Sequence, residues 1–95
     1  MRKDEFIGYV IHKYKEKQLV KAMEELGELN SALARIVNDL KPDYDNFEEE
    51  LCDVIFMCEQ LLWYFDIPDE TVEARIQQKI DKFLEWERNE ERKKL

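Results

Sequence analysis

Apolar residues recur every three or four positions through most of the chain, and little interrupts them. Only two Gly and two Pro occur in 95 residues. These are the strongest local breakers of regular structure, so a chain this poor in them supports few turns. Spacings of three and four put side chains on one face of a helix. The prevalence of Glu, Lys, Leu and Arg agrees with that reading. The pattern predicts one all-α domain over residues 1–95, a four-helix subunit with helices at 3–16, 18–39, 47–66 and about 69–90.

The first helix carries Phe6, Ile7, Val10, Ile11 and Tyr14 at helical spacing. Nothing between Lys13 and Gln18 is a strong breaker, so it either stops there or runs straight into the second. Gly27, inside the second helix, is either tolerated at a cost of about 1 kcal/mol relative to Ala or marks a close approach beside Glu28. Residues 40–46 hold Pro42, Asp43, Asp45 and Asn46, which is turn chemistry. Asn46 is the expected N-cap of the third helix, with Glu49 completing a capping box. Pro68 marks the next break. Val72, Ile76, Ile80, Phe83 and Leu84 form the apolar face of the fourth helix, and the tail at 90–94 is expected to fray.

The third helix has two apolar sides. Phe47, Leu51, Val54, Cys58, Leu61 and Phe65 make one, and Cys52, Phe56 and Trp63 make the other. A helix apolar on two sides is buried on two sides. Small domains bury a limited share of their surface. The second side is therefore expected to meet another subunit, so that oligomerisation completes the helical bundle. Trp63 and Tyr64 serve either this packing or stacking on a base. Cys52 and Cys58 are expected to be small buried hydrophobes.

Two matched acidic pairs stand out. Glu25 and Glu28 lie three residues apart in the second helix, and Glu50 and Asp53 do the same in the third. Residues three apart are neighbours on a helix surface. Both pairs sit at the same angular offset from their apolar stripes, which in the second helix is Ala22, Leu26, Leu29, Leu33 and Ile36. Packing those stripes together brings four carboxylates to the margin of the core. Clustered, part-buried carboxylates repel and are costly to desolvate. Hard divalent cations, Mg²⁺ above all and Mn²⁺ also, are their natural occupants. His12, the one histidine, sits in a Lys-rich turn and reads as a surface residue rather than a ligand.

A formal net charge of −8 argues against nucleic acid and anionic membranes as partners. No apolar run is long enough to span a bilayer and no signal-peptide pattern is present, so a cytoplasmic setting is expected.

The sequence Lys21, Glu24-Glu25-Leu-Gly-Glu28, followed after a loop by Glu50-Leu-Cys-Asp53, resembles the MazG-type all-α nucleoside triphosphate pyrophosphohydrolases. The resemblance covers roughly residues 18–85 and lies in the order, spacing and helical context of the acids. It implies a homodimer or homotetramer that cleaves a nucleoside triphosphate between its α and β phosphates. Glu25, Glu28, Glu50 and Asp53 would hold Mg²⁺, and Glu24 would be a further catalytic acid beside Glu25. Lys21, Lys79 and Lys82 would contact phosphate. Relatives often carry Lys-x-x-x-Asn on the last helix, whereas here Phe83 follows Lys79 and Trp86 follows Lys82 at that spacing. Phosphoribosyl-ATP pyrophosphohydrolases share the acid pattern and are the alternative substrate class. A non-enzymatic helical interaction module and a passive cation binder are the competing readings.

Overall fold

The computed structural model describes residues 1–95 and contains four α-helices and no strand. They are α1 (Lys3–Tyr14), α2 (Lys17–Asn38), α3 (Tyr44–Tyr64) and α4 (Asp69–Lys93).

Local chemistry fixes the boundaries. Lys15 ends α1 with φ at 51°, in the left-handed region, while its N–H still donates to the Ile11 carbonyl at 2.9 Å. A lysine backbone thus makes the break that no Gly or Pro signals. α3 starts one turn earlier than expected. Asp43 caps it in place of Asn46, its carboxylate accepting from the Asn46 N–H at 2.9 Å. Glu49 is therefore not in the capping turn. At the other end Asp66 takes φ of 55°. Its N–H donates to the Trp63 carbonyl and that of Ile67 to Leu62 at 2.8 Å, a Schellman closure with Asp in the glycine position. α4 continues to Lys93 rather than fraying at 90, with Lys93 3.3 Å from Glu90 in its last turn.

α2 and α3 form an antiparallel hairpin, and α1 packs on both. Ile7, Val10 and Ile11 of α1 make a small buried cluster against Phe56 and Tyr64. Phe6 stacks on Phe56 with ring centroids 5.6 Å apart. On the second apolar side of α3, Phe56 is half-covered by its own chain, while Cys52 and Trp63 stay exposed. Cys52 and Cys58 are both exposed, against expectation.

The reason is a rotation of the packed faces. The buried residues of α3 are Val54, Met57 and Gln60, and those of α2 are Ala22, Glu25 and Ala32. At 100° per residue these sectors are turned from the predicted stripes by about 80° on α3 and about 45° on α2. Both turn toward the acids. Ala22 and Ala32 are the most buried residues of α2, while Leu26, Leu33, Leu51 and Cys58 are exposed.

α4 packs on none of the other helices and buries no residue. Ile76, Ile80, Phe83 and Leu84 remain about half exposed. The Cα radius of gyration is 18.0 Å, against about 12 Å for a compact domain of this length. No helix is long and apolar enough to cross a membrane.

Candidate metal centre

The rotation takes Glu25 into the α2–α3 seam, while Glu50 is half-buried and Glu28 is exposed at its margin, where the pattern put them. Glu25 is only 8% exposed. Glu28 follows it one turn later on α2, and Glu50 faces both from α3. Each of the three offers a carboxylate oxygen within 4.8 Å of the other two. Asp53 is exposed and stands outside this trio. Its charge still acts on Glu50, and it lines a cavity together with Glu25.

The electrostatics of the trio are unfavourable as it stands. Desolvation raises the Glu50 carboxyl above the usual glutamate range. A hydrogen bond with Glu28 and the charges of Glu28, Asp53 and Glu25 push the same way. Glu25 Oε2 and Glu50 Oε2 are buried with no hydrogen-bond partner. Buried polar atoms are paired in nearly all folded proteins. Lys21 offsets part of the charge, its Nζ lying 3.2 Å from Glu25 Oε1 and 3.9 Å from Glu24 Oε2. The hydrogen bond to Glu25 holds the Lys21 ammonium above its ordinary pKa. Lys21 reaches Glu25 and Glu24, and one buried oxygen each of Glu25 and Glu50 is left without a partner. All-oxygen donors of this kind fit a hard divalent ion.

Compared with known proteins, the chain matches no family model, no curated protein and no solved structure.

The remaining predicted site residues divide by helix. Glu24 is exposed and lines a cleft with Gly27, Glu28, Ser31, Arg35 and Glu50. A Cβ at Gly27 would meet nothing within 4 Å, so no backbone of the same chain approaches there. Lys79 and Lys82 lie on α4 and are not brought to the acids within one chain. Two groups of residues escaped the sequence reading. Ser31 and Arg35 extend the cleft, with Arg35 seven residues, two helical turns, beyond Glu28 on the same face. Gln18 and Gln60 extend the seam in the opposite direction. Gln60 is 3% exposed and its Oε1 accepts from Gln18 Nε2 at 2.8 Å. Their helical register with Glu25 and Asp53, seven residues away on each helix, was the available signal.

Proposed function

We propose that the chain is a Mg²⁺-dependent nucleoside triphosphate pyrophosphohydrolase, with Mn²⁺ able to substitute. The observation that carries this reading is the convergence of Glu25, Glu28 and Glu50 with two buried carboxylate oxygens left unpartnered. The order and spacing of the acids resemble the MazG-type enzymes, which supports the choice of reaction.

Glu25, Glu28 and Glu50 would hold the metal, with Asp53 at its edge. When bound, such an ion polarises phosphoryl oxygens and lowers the pKa of water. The chain's own residues supply the rest. Lys21 and Arg35 flank the acids from opposite ends of the seam and orient the negative polyphosphate. Glu24, open to solvent on the cleft, would take a proton from the attacking water. Water adds to one phosphorus of the α–β anhydride, the bridging P–O bond breaks, and nucleoside monophosphate and pyrophosphate leave. No nucleophilic Ser, Cys or His is required.

The active form is a homodimer or homotetramer. Its support is α4, whose apolar face finds no partner in its own chain. Assembly would give that face a partner and bring Lys79 and Lys82 toward the site of a neighbouring copy.

The test is pyrophosphate release from a nucleoside triphosphate panel with Mg²⁺, comparing wild type, Glu50→Gln and Glu48→Gln. Turnover by wild type and Glu48→Gln, lost in Glu50→Gln and on chelation, is expected. Activity that survives exhaustive chelation, or full activity in Glu50→Gln, overturns the reading.

A further inference from the structure

The α2–α3 seam continues past the acids into a cavity of about 330 Å³. Its polar side is Gln18, Lys21, Glu25, Asp53 and Gln60, and its apolar side is Phe6, Val10, Phe56 and Met57. The volume falls at the lower end of the range for small-molecule sites, and a mostly apolar wall with a few placed polar groups is how such sites are built. We infer that this cavity seats the base of the nucleotide, with Gln18 and Gln60 reading its edge. The inference rests on the proposed function for what lies at the acids.

Three features carry it. Gln60 is buried, and its one hydrogen bond uses Oε1 to accept from Gln18 Nε2. That bond leaves Gln60 Nε2 as a donor and Gln18 Oε1 as an acceptor on a pair of bonded amides, both residues lining the cavity. A heterocyclic base offers the complementary arrangement, a ring nitrogen beside a carbonyl or amino group. A sugar or an alkyl chain offers no such planar pair. The walls suit the same ligand, since the stacked rings of Phe6 and Phe56 give an aromatic surface beside the amides. The spacing is the third feature. Gln18 precedes Glu25 by seven residues, and Gln60 follows Asp53 by seven. At 1.5 Å per residue this is about 10 Å along both helices, close to the reach of a nucleoside from base edge to phosphate. A nucleotide lying along the seam places its base at the glutamines, its phosphates at the acids and the far end of its polyphosphate toward Arg35.

The test is twofold. Gln18→Ala and Gln60→Met are assayed for kcat and KM on the four common nucleoside triphosphates with Mg²⁺. Side-chain amide resonances of ¹⁵N-labelled wild type are followed as nucleoside 5′-monophosphates are added. Gln18 is only half-buried, so its variant keeps the test open if Gln60→Met does not fold. The Mg²⁺-induced rise in melting temperature serves to confirm that the metal end is intact. Expected are a loss in kcat/KM of about tenfold or more, mostly in KM, as a buried amide loses its partner, and shifts of the Gln18 and Gln60 amides. Variants within twofold of wild type on every base, with unmoved amides, overturn the base seat while leaving the hydrolase reading intact. If wild type hydrolyses no triphosphate, that reading falls and the amide titration alone decides: shifts at Gln18 and Gln60 uphold the seat, and their absence overturns it.

Discussion

Replacing Glu25 by Gln should make the metal-free protein more stable and the metal-loaded protein less so. Glu25 is the most buried of the three converging acids, and its Oε2 has no hydrogen-bond partner. A buried acceptor left unpaired costs about 1–3 kcal/mol. A glutamine of the same shape carries an amide in place of one oxygen and can donate to the neighbouring carboxylates of Glu28 or Glu50, within 4.8 Å. Against this stands the ion pair with Lys21 at 3.2 Å, in which the lysine is half exposed. Such pairs contribute roughly 0–1 kcal/mol. The net gain is about 1 kcal/mol. For a domain of this length that raises Tm by about 4–8 °C. The assay is thermal unfolding followed by circular dichroism, in chelator and then in millimolar Mg²⁺, at fixed protein concentration. Wild type should gain Tm from the ion by mass action, by about 2.7 kcal/mol at a hundred times Kd, and Glu25→Gln should gain much less. A Glu25→Gln protein less stable than wild type in chelator by 1 kcal/mol or more would refute the reasoning. Glu25 would then be an anchor for Lys21 rather than a strained ligand.

The raised Glu50 carboxyl gives a pH signature. The folded chain holds this proton at higher pH than the unfolded chain does, so its contribution is complete below the ordinary glutamate pKa and is lost as pH rises through the folded value. Urea midpoints in chelator should fall over that interval, and the fall should vanish in Glu50→Gln. Lys15→Gly should stabilise the protein by about 1 kcal/mol, because a non-glycine residue at positive φ costs about 1–3 kcal/mol and glycine returns part of that as unfolded-chain entropy. Chemical denaturation would show it, and a loss of stability would mean that the Lys15 side chain holds the turn. Ile80→Glu, on the exposed face of α4, should shift the light-scattering mass from an oligomer to a monomer. A folded, active wild-type monomer at micromolar concentration would contradict the assembly.

Helix content and order were legible because heptad-like spacing survives almost without breakers. The acids were legible because a spacing of three fixes their shared face whatever lies beyond it. The rotation of α2 and α3 was not. Counting Leu and Phe favoured the stripe through Leu26, Leu33 and Leu51, whereas of that α2 stripe only Ala22 is buried, and Ala32 and Glu25 from the neighbouring sector are buried with it. Pattern reading weights large apolar residues, and on α2 the buried apolar ones are small. The Lys15 break stayed hidden because its signal is a dihedral angle, not a residue type. Asp43 and Asn46 are both good caps, and only the carboxylate-to-amide bond decides between them. Lys79 and Lys82 flank the apolar face of α4, which made them candidates for phosphate, but a helix that packs on nothing in its own chain does not bring them to that chain's acids.

The detachment of α4 also bears on the order of events during folding. Most contacts among α1, α2 and α3 join α2 to α3, helices linked by a few residues, and chains rich in such local contacts fold in microseconds to milliseconds. α4 forms its own backbone hydrogen bonds but finds no docking surface in the same molecule. If the proposed assembly buries Ile76, Ile80, Phe83 and Leu84, that burial would wait for a collision between chains, on the millisecond-to-minute scale of subunit assembly. Refolding should split into a fast phase indifferent to dilution and a slow phase whose rate falls as protein concentration falls. In the proposed assembly, a newly synthesised chain would carry the apolar face of α4 bare until it meets a second copy.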